Sequence, residues 1–351
     1  MPFSQRFRLF ISNLPLLSIC LGIGLATLTG VILLIGASPI AVASALWNGA
    51  FGTRYNTADT IVQTIPLLLT GLGVALAFRC QLFNIGAEGQ FLVGAMCATW
   101  IGTMHGVPAP LHLPLALLAG ALAGAAWAAI AAAMKIYRGV QEVLSTLLLN
   151  FVALQLLAWM VRGPLQEAAK AFPQSDPLAI PARFLILIPQ TRLHGGVILA
   201  LIMAAVVWFY LKWTAGGFAL RAVGAGAEAA EAAGIPLNRT LITAFLLSGA
   251  LSGLGGAVQM CGVLYRLSEG FSPGYGYTAI AVALLANLNP LGVVPSALFF
   301  GALTVGGVAV QQRIPGVSAV VVQILQAVTL FALLGYAWAQ GRKNQRTGSE
   351  E

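Results

Sequence analysis

An asparagine, a glutamate and a glutamine, Asn84, Glu88 and Gln90, stand in the stretch Leu82 to Leu92, LFNIGAEGQFL, between two strongly apolar segments. A second set, Glu142, Thr146 and Asn150, recurs every fourth residue in a segment otherwise made of Val, Leu and Phe, so on a helix the three share one face. A third, Asn287 and Asn289, flanks Leu288 in the sequence NLNP. A carboxylate surrounded by lipid costs at least about 2.5 to 3.5 kcal/mol on insertion scales, so Glu88 is expected either to serve a function there or to snorkel from a membrane boundary. The stripe on the second segment has two readings of equal standing: it lines a path that hydrogen-bonds a hydroxyl-rich solute, or it supplies hydrogen bonds between helices.

The elements that must carry these groups are membrane spans. Of 351 residues, 59% are hydrophobic and only 8% charged, against about 25% charged in soluble domains. The apolar runs lack the alternation of barrel strands, and many reach the roughly 20 residues that cross a hydrocarbon core as a helix. The sequence predicts an all-α, polytopic integral membrane protein, one transmembrane domain over residues 1–351. About ten spans are expected: Leu14–Ile35, Ile61–Phe78, Phe91–Met104, Leu113–Met134, Val140–Val161, Gly195–Trp213, Thr240–Leu264, Tyr277–Leu288, Gly292–Gln311 and Ser318–Ala339. The first run is too long for the apolar core of a signal peptide and fits an uncleaved span. Small residues at Gly120 and Gly124, and at Gly249 and Gly253, have the spacing that lets helix backbones approach closely in lipid.

With the amino terminus in the cytoplasm, Arg6, Arg8, Arg79, Lys135, Arg138, Lys212, Arg221, Arg239, Arg342, Lys343 and Arg346 fall in inner loops, eleven of the 18 Lys and Arg residues. The bias places both termini inside. It also accounts for the net charge of +8 without a nucleic-acid partner. The loop 162–194 then lies outside and the segment 214–239 inside. Two predicted spans, Phe91–Met104 and Tyr277–Leu288, are short and adjoin Gly/Asn/Pro interruptions in corresponding places of the two halves. Such pairs point to an inverted repeat with broken helices at a solute path, or else to tight turns at the membrane surface.

Neither the four cysteines nor His105, His112 and His194, placed in outer loops, show metal-ligand or disulfide spacing, so no metal and no cofactor is expected. The segment Thr214 to Arg239 is Ala-rich, carries Arg221, Glu228 and Glu231, and stops at Gly234 with Pro236 beyond, the signature of one short cytoplasmic helix. It reads as a knob for a partner. No G-x-x-x-x-G-K-[ST] sequence occurs, so the chain has no phosphate-cradling loop with which to hydrolyse ATP. Energy must come from a partner ATPase, from an ion gradient acting on Glu88 or Glu142, or be absent as in a channel; no nucleophile–base pair supports an enzyme.

Four segments resemble one known family: LFNIGAEGQ at Leu82–Gln90, RGVQEVLSTLLLN at Arg138–Asn150, FALRAVGAGAEAAEAAGI at Phe218–Ile235, and GYGYTAIAVALLANLNPLG at Gly274–Gly292. They are similar to membrane subunits of ABC importers in the ribose and branched-chain amino acid permease superfamily, nearest to nucleoside and simple-sugar permeases; FNIGAEGQ favours nucleosides. The resemblance implies a bacterial inner-membrane location and alternating-access import. It implies a coupling helix with Arg221, Glu228, Glu231 and Gly234 on a cytoplasmic ATPase that binds the ATP. A second related permease and an extracytoplasmic solute-binding protein complete the implied set, with the loop Arg162–Arg192 as a docking surface for the last. The chain departs from the family's usual residues at Gln141, Gly226 and Ala286-Asn287. Asn84, Glu88, Gln90, Glu142, Thr146, Asn150, Asn287 and Asn289 are the expected solute path.

Overall fold

The computed structural model describes residues 36–314 continuously, with Ala26, Thr29, Gly30, Ile32, Leu33, Leu34, Ile324 and Ala327 besides. The expected spans Leu14–Ile35 and Ser318–Ala339 lie almost wholly outside the described residues. Within these, regular structure is helical apart from two isolated antiparallel bridges. The helices are α1 (Pro39–Phe51), α2 (Arg54–Arg79), α3 (Ala87–Thr103), α4 (Ala109–Arg138), α5 (Glu142–Arg162), α6 (Gly196–Trp213), α7 (Ala215–Ala225), α8 (Ala227–Ala232), α9 (Leu237–Gln259), α10 (Tyr275–Leu285) and α11 (Pro290–Arg313). A π turn, Met260–Leu264, continues α9.

Among the described residues, six helices are long and apolar enough to cross a membrane: α2, α4, α5, α6, α9 with its π turn, and α11. The two segments expected to be short are so, α3 with 17 residues and α10 with 11. Local chemistry sets several ends. Gly139, at φ +65°, closes α4 in the left-handed conformation that avoids a β-carbon penalty, and its N–H returns to the Lys135 carbonyl. Thr214 starts α7 by accepting from the Gly217 N–H at 3.0 Å. The segment expected to hold a single cytoplasmic helix is two, because the chain is extended at Gly226 (φ 175°) between α7 and α8. His112, expected in an outer loop, sits in the first turn of α4, where its Nε2 meets the Ile101 carbonyl at 2.9 Å. The apolar run that begins at Pro108 starts its helix early enough to include it.

The described residues divide between two compact units, one drawn from within 1–57 and 302–351 and the other 58–301. In the first, Val42 and Ala45 of α1 pack with Ile32 and Val310, and Gly49 abuts Ala309. The second is organised round α3, α4 and α9, whose backbones touch. A β-carbon at Gly253 would fall 2.8 Å from the Gly124 Cα, one at Gly120 would fall 2.6 Å from the Ala257 Cβ, and Gly94 and Gly249 face the Gly253 and Gly124 carbonyls as tightly. Four of these glycines are the pairs whose spacing in the sequence predicted close packing. Lipid offers apolar side chains nothing that protein does not, so such close van der Waals contact is what holds the three helices together.

The connection from α5 to α6 is ordered. Glu167, buried, accepts from Gln174 Nε2 at 2.8 Å and pairs with Arg266 at 3.1 Å. Residues 184–195 form a short hairpin through the antiparallel bridge Ile186–His194. His194, 1% exposed, lies against Phe184 and in the gaps left by Gly196 and Gly262, its Nδ1 accepting from the Gly196 N–H at 3.1 Å.

Two outcomes follow. Gly253→Leu forces a side chain into the Gly124 backbone, where overpacking costs about 1–3 kcal/mol or more; it should abolish monodisperse protein in size-exclusion chromatography, whereas Gly226→Ala, whose β-carbon meets Ala229 only at 3.9 Å, should not. Burial holds the His194 imidazole down to about 4 from the ordinary 6.5. Between those values the unfolded chain takes a proton that the folded chain refuses, so stability rises with pH across that window. The thermal unfolding midpoint should drop as pH is lowered from 6.5 towards 4, and His194→Asn should flatten that slope.

Candidate functional site

Between α2 and α3 the chain is not helical. Residues 80–86 run through Gln81 at φ +55° and leave backbone donors and acceptors that no helix ladder serves. In an apolar surrounding each such group left alone costs several kcal/mol, so protein must supply the partners. The face of α5 supplies them. Thr146 Oγ1 accepts from the Ile85 N–H at 3.2 Å and donates to the Glu142 carbonyl at 2.6 Å. Asn150, wholly buried, donates from Nδ2 to the Ile85 carbonyl at 2.9 Å and accepts at Oδ1 from the Gly89 N–H at 2.8 Å. Spacing of four on one helix therefore delivers two side chains to two successive points of the unwound strand. Gly89 has no room for more: a β-carbon there would stand 2.9 Å from Asn150 Oδ1 and 3.1 Å from Trp127 Nε1.

Asn84 and Gln90 close the same junction from within. Their amides exchange two hydrogen bonds at 3.0 Å each, Asn84 Nδ2 reaches Ser248 Oγ of α9 at 2.9 Å, and Asn84 Oδ1 takes the Gly86 N–H at 3.0 Å. Glu142, the third member of the stripe, reaches the same stretch at its edge, through the Phe83 backbone N–H. It stands in the first turn of α5, paired with Lys135 at 2.7 Å.

Glu88 lies in the first turn of α3 and is 3% exposed. Its carboxylate accepts from Ser272 Oγ at 2.6 Å and from the Gly276 N–H, in the first turn of α10, at 2.6 Å. The amino-terminal ends of the two short helices thus meet at one carboxyl group. Two partial positive charges point at it, the favoured position for a carboxylate near a helix start. Gly276 presses on the Glu88 backbone with no space for a β-carbon. Ser272 Oγ accepts in turn from the Gly274 N–H at 3.2 Å, which fixes the turn leading into α10. Tyr275 reaches Gln63 of α2 through its hydroxyl, and its ring lies 5.4 Å from Phe91. Sequence reasoning missed Ser272, Tyr275 and Gln63; the Pro-Gly pair after Ser272 marked a turn but not its partner.

The other end of α10 carries Asn287 and Asn289, both exposed. Asn287 takes φ +48° in the turn that closes the helix, and Asn289 Oδ1 accepts from the Leu291 N–H at 3.1 Å to start α11. They lie about 16 Å along an 11-residue helix from Glu88. So the eight residues expected to form one path fall into a buried cluster of Asn84, Glu88, Gln90, Thr146 and Asn150, with Glu142 at its edge, and a separate exposed pair.

Arg221, Glu228, Glu231 and Gly234 are all exposed, on or just beyond α7 and α8. Gly224 of α7 packs against the Arg79 carbonyl, and its own carbonyl accepts from Gln81 Nε2 at 2.7 Å. Arg79 donates to the Leu288 carbonyl at 2.8 Å. The exposed segment is thereby bonded to the first residues of the unwound stretch.

A family model described as branched-chain amino acid transport system, permease component, matches residues 56–334. The guanosine ABC transporter permease protein NupP of Bacillus subtilis is 39% identical over 92% of this chain and 93% of its own length. The glucose ABC transporter permease protein TsgB13 of Haloferax volcanii is 35% identical over 86% and 81%. The nucleoside ABC transporter permease protein NupB of Lactococcus lactis is 30% identical over 90% and 89%. No solved structure matches.

The carboxylate between the two helix starts can be tested directly. Glu88→Ala strands the Gly276 N–H and Ser272, and hydrogen bonds to a charged acceptor are worth about 1.5–3 kcal/mol, so unfolding in mixed micelles should become easier by about 2 kcal/mol. Glu88→Gln, which can accept from Gly276 and donate to Ser272, should recover most of that loss. Equal stability of wild type and Glu88→Ala would show the anion to be idle.

Proposed function

The chain belongs to the family of permease components of branched-chain amino acid type ABC transport systems, and from that premise we propose that it is the membrane-spanning subunit of an ATP-driven nucleoside importer. The observation that carries the proposal is the bond from Gln81 to Gly224, because it links an exposed segment suited to a partner with the buried polar junction. The guanosine and nucleoside relatives support the solute class; a simple sugar is the second reading, favoured by the glucose relative.

In this reading the chain sits in a bacterial inner membrane with both termini in the cytoplasm. ATP is bound by a cytoplasmic ATPase that receives α7 and α8 through Arg221, Glu228, Glu231 and the turn at Gly234. A second permease completes the path, and a solute-binding protein docks on the extracytoplasmic side, over the polar part of loop 162–194. Closure of the ATPase displaces α7. Through Gly224 and Gln81 that displacement reaches the strand 80–86, where the clamp formed by Thr146 and Asn150 has discrete bonding arrangements rather than a continuum, so the bundle switches between outward- and inward-open forms. Asn84, Gln90 and Asn150 offer amides that match a hydroxyl-rich solute when the clamp opens. Asn287 and Asn289 lie where solute leaves.

Uptake of labelled guanosine, uridine and glucose by cells making the whole complex distinguishes the solutes. Replacing Glu228 and Glu231 by Ala should reduce both uptake and solute-stimulated ATP hydrolysis by about tenfold, the effect of roughly 1.4 kcal/mol at a protein interface, with unchanged amounts of chain in the membrane. Unaltered uptake and hydrolysis would remove the coupling role. Accumulation driven by a pH gradient in vesicles containing this chain alone would replace ATP-driven import by a gradient-driven mechanism through a titrating carboxylate.

A further inference from the structure

The hairpin 184–195 turns its apolar side outward. Leu185 is 83% exposed and Ile186 54%, with Leu187 and Ile188 also open, while Leu193 and His194 on the returning strand are buried. Leu193 packs with Ala58 and Val62. The hairpin's orientation is fixed at its base. The Phe184 N–H donates to the Cys261 carbonyl at 2.9 Å, the Leu187 N–H to Leu193 at 2.8 Å, and the Gly195 N–H to Leu185 at 3.0 Å. Four consecutive open Leu and Ile residues held in one ordered turn are not the surface of a water-facing loop.

Two observations identify what covers them. The hairpin leads directly into α6, whose outward side is a stripe of Ile198, Leu201, Ile202, Val206 and Phe209, all exposed, and which crosses with no charge before Lys212. Its far end carries the anchors of a membrane–water boundary: Lys212 Nζ lies 4.9 Å above the Trp208 ring and 5.1 Å from that of Trp213. The apolar strand is thus continuous with a surface built for lipid. Length gives the second argument. The 18 residues of α6 span about 27 Å, somewhat short of a hydrocarbon core of about 30 Å. With its Trp and Lys end fixed at one boundary, the other end stops inside the opposite leaflet, and the next apolar surface in the chain is Leu185–Ile188.

We propose that the outgoing strand of the hairpin, Leu185–Ile188, is immersed in the extracytoplasmic leaflet of the bilayer, with the exposed Gln190 and Arg192 of its turn at the headgroup boundary, as an interfacial anchor that completes the short span α6. The connection 162–194 then divides in two. Residues 162–182, with the Glu167–Arg266 pair and Asp176, face water, and Leu185–Ile188 face acyl chains while Leu193 and His194 stay inside the protein. The two strands of the hairpin bond to each other, the Leu187 N–H to the Leu193 carbonyl and the Gly195 N–H to the Leu185 carbonyl, so part of the immersed backbone is paired within the hairpin. The leaflet assignment rests on the orientation proposed above, with the Gly196 end of α6 outside.

The test uses the full-length chain with Cys20, Cys80, Cys97 and Cys261 replaced by alanine, reconstituted with its partner subunits into phosphatidylethanolamine–phosphatidylglycerol vesicles. A nitroxide is placed in turn at Ile186→Cys, at Leu201→Cys on the α6 stripe, and at Ala169→Cys on the water-facing part. Position 186 should be more accessible to oxygen than to an aqueous nickel chelate, as at 201, with the opposite order at 169. A probe at 186 that behaves like 169 overturns the proposal in favour of an aqueous docking surface; one shielded from both reagents overturns it in favour of a protein contact such as the second permease. If the cysteine-free chain does not fold, Ile186→Trp in the otherwise native chain gives the same decision: added fluorescence quenched by brominated phospholipid supports immersion, and added fluorescence that resists quenching rejects it. Labelling of Ala169→Cys by an impermeant maleimide added to intact spheroplasts reports the orientation separately, so an inverted chain is distinguished from an unanchored hairpin.

Discussion

A helix broken inside apolar surroundings has to hydrogen-bond its loose backbone to protein, and that constraint shapes the centre of this molecule. Between the last turn of α2 and the Gly86 carbonyl that opens the α3 ladder, the Ile85 N–H and carbonyl have no helix partner and find Thr146 and Asn150 instead. The same logic applies at the start of α3 and of α10. A helix start carries four N–H groups without ladder partners, and here two starts face one carboxylate. Glu88 takes the Gly276 N–H, and Asn150 takes that of Gly89. The polar residues are few because each satisfies a specific backbone or side-chain group that lipid cannot.

Around this junction the packing is of another kind. Helices α3, α4 and α9 touch backbone to backbone at Gly94, Gly120, Gly124, Gly249 and Gly253, leaving no free volume for sliding. Van der Waals contact of that sort is strong only at one distance, which makes the three helices a rigid body. The junction differs: its contacts are hydrogen bonds from side chains that have rotamers to change. Asn84, Gln90 and Asn150 each hold both a donor and an acceptor, so an alternative set of partners is chemically available to them, including a solute. A stiff frame with a polar, re-pairable seam is what a two-state transporter needs.

Much of this was legible in the sequence. The four-residue spacing of Glu142, Thr146 and Asn150 put them on one helix face, and the glycine pairs announced close helix contact. The interruptions at FNIG and PGYG marked the two short helices. What could not be read was who binds whom. Glu88 and Gly276 are far apart in the chain, and nothing local says that a carboxylate in one interrupted segment will serve the helix start in the other. The two open readings of the α5 stripe are not exclusive: the observed partners are backbone groups of a neighbouring segment, closer to the interhelical reading, but they belong to the unwound strand on the proposed path. Asn287 and Asn289 stand apart from the buried cluster: their positions close one helix and open the next, roles that Asn fills for reasons of turn geometry. The hairpin 184–195 was hidden for a similar reason: a stretch with prolines and charges on either side reads as a loop, and the exposure of Leu185–Ile188 emerges only once Leu193 and His194 are seen to point inward.

The connection from the exposed segment to the junction has a physical consequence for how force is transmitted. Gly224 has no room for a side chain against the Arg79 carbonyl, so α7 cannot move without moving the end of α2 or separating from it. Gln81, at positive φ, is the second residue past the end of that helix and is bonded to the same glycine. Displacement of α7 is therefore applied where the backbone is already irregular and its torsions are free to absorb a change, rather than to the interior of a helix, where it would have to break a ladder. The second strand of the connection, Arg79 to the Leu288 carbonyl, carries the same displacement to the end of α10, whose other end is held by Glu88. In the proposed cycle one push thus reaches both sides of the carboxylate at once, from the strand below α3 and from the far end of α10. The bonds at Glu88 either survive, so that α3 and α10 move together, or both break, which a ligand-driven switch requires if it is to have two states rather than a slope.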